Sequence, residues 1–135
     1  MRETFDTGKM PHILIKSCGG DLVIRSWIDS QVLVKSEEAD VDVTGDGLLL
    51  SSSGNLALTV PEAATITVET VHGDLVIKNV EGEIQLTAVH GDVVLSNVGQ
   101  VTVENVYSDL SAKNLSGSMK ATAISGDAAF RNAAD

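Results

Sequence analysis

The sequence predicts an all-β fold: a single β-solenoid domain over residues 1–135, with about 18 residues and two short strands per coil. Coils are expected to be irregular over residues 1–70 and regular over 71–135. Three observations predict this. First, Asp74, Asp92, Asp109 and Asp127 recur at spacings of 18, 17 and 18, with Asn79, Asn97, Asn114 and Asn132 in step; a fixed period is the signature of a stacked repeat. Second, the stretches between these marks alternate apolar and polar residues with period 2, which suits strands and not helices. Third, Gly73, Gly82, Gly91, Gly99, Gly117 and Gly126 fall between the runs, where the chain must bend tightly.

The elements follow in order along the chain. Gly20-Asp21-Leu22-Val23-Ile24-Arg25 is an early copy of Gly73-Asp74-Leu75-Val76-Ile77-Lys78, 53 positions upstream and one short of three periods of 18. Between them lie the strand-like runs Val32-Leu33-Val34, Val41-Asp42-Val43, Leu48-Leu49-Leu50, Leu56-Ala57-Leu58 and Ile66-Thr67-Val68. Turn clusters such as Thr44-Gly45-Asp46-Gly47 and Ser51-Ser52-Ser53-Gly54 separate them.

From residue 71 the pattern sharpens. Leu75, Ile77 and Val80 are expected to face inward with Lys78 outward; Ile84, Leu86 and Val89 inward with Glu83, Gln85 and Thr87 in solvent. Val93, Leu95 and Val98, then Val101, Val103 and Val106, repeat the scheme. Ala112, Ala121, Ala123, Ala128, Ala129 and Ala133 then replace the larger aliphatics, so the core is expected to thin toward the C-terminal end. A meander sandwich could use the same strands paired through hairpins. The solenoid is favoured because stacking turns equal spacing into vertical columns of like residues.

Composition limits the partners. Nine Lys and Arg against 19 Asp and Glu give a net charge of −10, which argues against nucleic acid and against an anionic membrane surface. Aromatic residues are 3%, too few for a base- or sugar-stacking platform. Cys18 is the single cysteine, so no intramolecular disulfide and no cysteine-based metal site is expected. Neither a signal peptide nor an apolar run of membrane-spanning length is present, so the protein as written is expected in the cytoplasm. A chain trimmed from a longer exported protein would instead belong to the cell envelope or surface.

At Gly20-Asp21…Trp27, at Val60-Pro61 and from Val68-Glu69-Thr70-Val71-His72-Gly73-Asp74 onward, the chain resembles the bacterial putative-adhesin family, a family of unknown function. That family carries an early GD-x-x-I-x-x-W, a VP before the repeats, and recurring V-S-G-D-V-x-L-x-N-V-x-G coils. The resemblance covers about residues 12–135. It departs at His72 and His90, where small residues are usual, and at Ser108, which replaces Gly. The resemblance implies a β-solenoid of bacterial envelope and stress-associated proteins, and brings no activity with it.

Candidate sites are few. Stacked Asp74, Asp92, Asp109 and Asp127, with Asp21 upstream, are weak candidates for Ca²⁺; the ordinary alternative is that each carboxylate accepts backbone N–H groups in its own turn. Asp40-x-Asp42-x-Thr44-Gly45-Asp46-Gly47 lacks the Glu an EF-hand requires, since Ser51 stands there. His72 is expected above His90 as surface turn residues, with a pH-sensitive pair or a metal site as alternatives. Stacked Asn side chains are expected to bond along the solenoid axis, which sets aside Asn114-Leu115-Ser116 as a glycosylation site. No G-x-S-x-G elbow, phosphate-cradling loop or His with an acidic partner stands out, and Glu37-Glu38 reads as a solvated edge. No catalytic, cofactor-binding or metal residue is therefore assigned, and no cofactor is expected.

Val23, Val76 and Val94 fall at outward positions and form a candidate contact strip flanked by Arg25, Lys78 and Ser96. Ala128 and Phe130 mark the candidate contact at the C-terminal end. The expected function is a non-enzymatic structural or interaction module, working by self-association (a dimer or end-to-end assembly) or by binding a protein partner through its faces and open end. The alternative is a Ca²⁺-dependent or ligand-binding adhesion module that uses the Asp face.

Overall fold

A computed structural model describes residues 2–36, 39–45 and 47–131. Asn132, Ala133 and Asp135, the acidic pair Glu37-Glu38, and Asp46 of the turn cluster lie outside the described residues. The described chain is all-β. Its strands are β1 (Arg2–Asp6), β2 (His12–Cys18), β3 (Leu22–Trp27), β4 (Gln31–Ser36), β5 (Ala39–Val43), β6 (Gly47–Ser52), β7 (Leu56–Pro61) and β8 (Thr65–Val71). They continue as β9 (Leu75–Lys78), β10 (Ile84–Val89), β11 (Val93–Ser96), β12 (Val101–Val106), β13 (Leu110–Lys113), β14 (Met119–Ile124) and β15 (Ala128–Arg131).

Two sheets result. One has eight strands in the order β1-β4-β7-β3-β9-β11-β13-β15, the other seven in the order β14-β12-β10-β8-β2-β6-β5. From β8 onward the chain alternates between them, and each strand pairs in parallel with the strand one repeat away. Ile84 pairs with Ile66 on one side and Val101 on the other, and Val93 pairs with Leu75 and Leu110. A hairpin meander would require β9 to pair with β10; these two lie in different sheets.

Alternation explains the core. The inward residues form continuous columns: Ile13, Ile66, Ile84 and Val101 in one sheet; Leu56, Leu22, Leu75, Val93 and Leu110 in the other. All are buried, and they join one hydrophobic cluster. Burying such a side chain contributes about 1.5–3 kcal/mol, and the strands on both sides of each repeat supply that burial. The cluster thins where the sequence turns to alanine: Ala112 is fully buried, whereas Ala121, Ala123, Ala128 and Ala129 are exposed.

The N-terminal half departs from chain order. Ile13 pairs with Ile66, and Leu22 with Leu75, each across 53 residues. The early Gly-Asp-Leu-Val-Ile copy therefore sits directly against its later twin. The intervening chain loops to the far side, where β6 pairs with β2 and β7 with β3. Beyond them the direction reverses: β4 lies antiparallel to β7, β1 antiparallel to β4, and β5 antiparallel to β6. The 53-residue offset is thus a neighbour contact, and not three stacked periods.

Candidate functional site: the turn columns and the outer face of the eight-stranded sheet

The repeated Gly-Asp turn, with Ser108 in place of Gly before β13, enters β3, β9, β11, β13 and β15 and sets the geometry of one border of the molecule. The backbone N–H of Gly73 donates to Gly20 O at 3.1 Å, and that of Gly91 donates to Gly73 O at 3.1 Å. The turns therefore stack with almost no space between them. A Cβ on Gly91 would run into Asp74 Oδ1 and the Gly73 carbonyl, and one on Gly73 into Asp21 Oδ1. Glycine is required there by close approach of two backbones.

The Asp column is a ladder between turns. Asp21 Oδ1 accepts the Asp74 N–H at 2.9 Å, Asp74 Oδ1 the Asp92 N–H at 2.9 Å, Asp92 Oδ1 the Asp109 N–H at 3.1 Å, and Asp109 Oδ1 the Asp127 N–H at 2.8 Å. Each carboxylate thus holds the neighbouring turn and not its own, which corrects the expectation from sequence. The Ser108 hydroxyl and the Asp109 N–H lower the pKa of Asp92 below the ordinary carboxylate value. Among the described residues no group of three or more His, Cys, Asp or Glu is placed to hold a metal ion.

Asn55 heads this ladder, its Oδ1 accepting the Asp21 N–H at 2.8 Å. Sequence reasoning missed it. The signal was present in Gly54-Asn55-Leu56-Ala57-Leu58, which is the Gly-Asp-Leu-Val-Ile turn with Asn in place of Asp.

Two further columns recur with the repeat. His72 stacks on His90 with ring centroids 5.3 Å apart, as expected, and Tyr107 extends the stack at 4.8 Å from His90. Tyr107 was not anticipated, although it occupies the His position of the third Gly-Asp unit, Val106-Tyr107-Ser108-Asp109. Asn79, Asn97 and Asn114 adopt φ of 61°, 54° and 55°, the left-handed region Asn tolerates best after Gly. Asn97 Nδ2 donates to Asn79 Oδ1 at 3.0 Å. Behind the turns, the Cys18 thiol lies buried against the Gly20, Asp21 and Gly54 carbonyls at 3.4–3.5 Å, and burial pushes its pKa up.

Asp40 and Asp42 lie on strand β5, and Thr44 N–H donates to Gly47 O at 2.9 Å, so this acidic stretch is strand followed by turn. A depression of about 410 Å³ is lined by Lys16, Asp40, Val41, Asp42, Leu49, Leu50 and Ser51. One of about 250 Å³ is lined by Trp27, Ile28, Pro61 and Lys9, among others.

The outer face of the eight-stranded sheet gathers the candidate strip. Val23 pairs with Val76, and Val76 with Val94, so the three form one column. Val94 is 37% exposed; Val23 and Val76 are half-buried. Ala128 is exposed in β15; Phe130 belongs to the same strand, and its side chain lies outside the described residues.

No family model matches the sequence. No curated protein matches it either. Among solved structures, the chain has a weak likeness to a putative adhesin from Bacteroides fragilis NCTC 9343, with 10% identity, coverage of 98% of this chain and 96% of that one, and a TM-score of 0.31. At that level the likeness carries no argument, and the reading of this chain rests on its own residues.

Proposed function

We propose that the chain is a single β-solenoid of about 18 residues per coil and acts as a non-enzymatic interaction module, self-associating or binding a protein partner through its flat faces and the open end at β14 and β15. The observation behind this reading is the difference between the two ends of the sheets. At one end antiparallel β1, β4 and β5 cover the parallel strands, and the outermost strands carry Glu3, Asp6, Asp40 and Asp42. Charged edges resist strand addition. At the other end β14 and β15 are paired on one side only among the described residues, and Ala121, Ala123, Ala128 and Ala129 are exposed. Unpaired N–H and C=O groups on such strands accept a further strand, and small side chains do not obstruct it.

Size-exclusion chromatography with light scattering over a wide concentration range tests this. Concentration-dependent association beyond 14.1 kDa that Ala128→Lys weakens is the expected result. A 14.1 kDa monomer at every concentration, with no partner retained, would contradict it.

A further inference from the structure

The outer face of the eight-stranded sheet carries a charge order that one second copy of the same chain would match. Positions i, i+2 and i+4 from each turn share a face. They read Asp21-Val23-Arg25, Asp74-Val76-Lys78, Asp92-Val94-Ser96 and Asp109-Ser111-Lys113. The registers set Val23, Val76, Val94 and Ser111 side by side, and Lys78, Ser96 and Lys113, with Arg25 following the Ile24–Ile77 pair as Lys78 does. The aspartates, one residue before each strand, stack through their ladder. The result is an acidic column, a central column apolar at three of its four heights, and a column cationic at three of four. The aspartates, Arg25, Lys78 and Lys113 are all exposed. Across β3, β4, β7, β9, β11 and β13 the charged residues are Arg25, Lys35, Lys78 and Lys113, every one a cation, in a chain of net charge −10.

Two residues along a parallel strand span about 6.6 Å, which places the cations that far beyond the valines; the aspartates, one residue before each strand, flank the valines on the other side. A two-fold axis running along the valine column would bring the partner's cation column onto this chain's Asp column, and the reverse. Asp21 would face Arg25 of the partner subunit, Asp74 would face Lys78 of the partner subunit, and Asp109 would face Lys113 of the partner subunit. A two-fold axis crossing the columns would set acid against acid. We infer that this face is an isologous dimer contact whose axis is parallel to the stacking direction of the strands; the inference rests on reading the chain as a self-associating module.

Size and chemistry agree on this occupant. Four strands at about 4.8 Å and five residues at about 3.3 Å give a plane of about 320 Å² per copy, or about 630 Å² in total. That is the range of weak, concentration-dependent contacts. A polyanion would match the cation column and be opposed by the acidic one, whereas a second copy satisfies both and covers the valines.

The test uses the full chain. Sedimentation equilibrium is expected to show a monomer–dimer equilibrium that stops at twice 14.1 kDa, weakens as salt is raised, and weakens at least tenfold in a Lys78→Glu, Lys113→Glu double variant. Val23→Cys, Val76→Cys and Val94→Cys, made one at a time, should each cross-link to their own counterpart under mild oxidation, because all three lie on the axis; Cys18 is buried and gives little background. Circular dichroism on these surface variants reports retained folding. Cross-linking at only one of the three heights would overturn the axis. A dimer indifferent to the lysine variants but abolished by Ala128→Lys would overturn this face while leaving self-association standing. Absence of any association would overturn both. Binding of polyphosphate to a monomer, lost with the same two lysines, would assign the cation column to a polyanion and overturn the dimer.

Discussion

Replacing Leu86 by alanine probes whether stacking across repeats holds the molecule together. Leu86 is 1% exposed and lies between Val68 and Val103 in neighbouring strands. The truncation removes three carbons, a transfer loss of about 2.4 kcal/mol at ~0.8 kcal/mol each. Parallel strands fixed by backbone bonds on both sides leave little room to collapse, so a residual cavity of ~50 Å³ at ~24 cal/mol per Å³ adds about 1.2 kcal/mol. The expected loss is about 3.5 kcal/mol. At ~2.1 cal/mol/K per residue, unfolding 135 residues carries about 0.28 kcal/mol/K, so Tm should fall by roughly 12 °C. The control lies two strands on in the same column: Val103 pairs with Ala121, which is exposed. Ala121→Ser should shift stability by no more than about 0.5 kcal/mol. Urea unfolding followed by far-ultraviolet circular dichroism measures both. A Leu86→Ala loss below about 1 kcal/mol, or equal effects at the two positions, would refute the reasoning.

Other predictions follow from the turns. Gly91→Ala should destabilise strongly because its Cβ meets the Gly73 backbone, whereas Gly54→Ala, which meets nothing within 4 Å, should be close to neutral in the same unfolding assay. At Asn97, with φ of 54°, alanine should cost about 1–2 kcal/mol in backbone strain plus the lost bond to Asn79; glycine should cost less, since it keeps the left-handed conformation. Asp92 is held charged by Ser108 and the Asp109 N–H, so its folded pKa lies below the unfolded one. Its stabilising contribution is present above the ordinary carboxylate range and lost as pH falls through the folded value. Asp92→Asn should therefore flatten the acid limb of a melting-temperature profile, and an unchanged limb would remove this ladder from the account. The Cys18 thiol, buried and with a raised pKa, should react with an alkylating reagent only as the protein unfolds.

Much of this was legible in the sequence because the repeat encodes it redundantly. Asp74, Asp92, Asp109 and Asp127 fix the spacing, and the inward residues from Leu75 to Val106 read directly as alternation. The ladder partner was less legible. An aspartate beside a turn suggests a bond within that turn, and only the 4.8 Å rise of a parallel stack brings the next N–H into reach. The order of strands around residues 28–64 was not legible at all. Antiparallel β4 and β5 have the same period-2 pattern as parallel strands, so hydrophobic alternation cannot give direction. The offset of 53 between the Gly-Asp-Leu copies was the available clue, and it marked adjacency. On the outer face, the charge order was visible only once registers placed Lys78 and Lys113 in the same column.

The stacking itself can be tested with one pair of engineered thiols. Gln85 and Thr102 are register partners on adjacent parallel strands. Their Cα spacing of about 4.8 Å lies within disulfide range. A Gln85→Cys, Thr102→Cys variant should form an intramolecular disulfide readily, whereas Thr87→Cys with Ser96→Cys, which a hairpin turning at Gly91-Asp92 would place opposite each other but which lie on different sheets, should not. The reverse result would mean that consecutive strands pair as hairpins, and the columns on which the account rests would not exist.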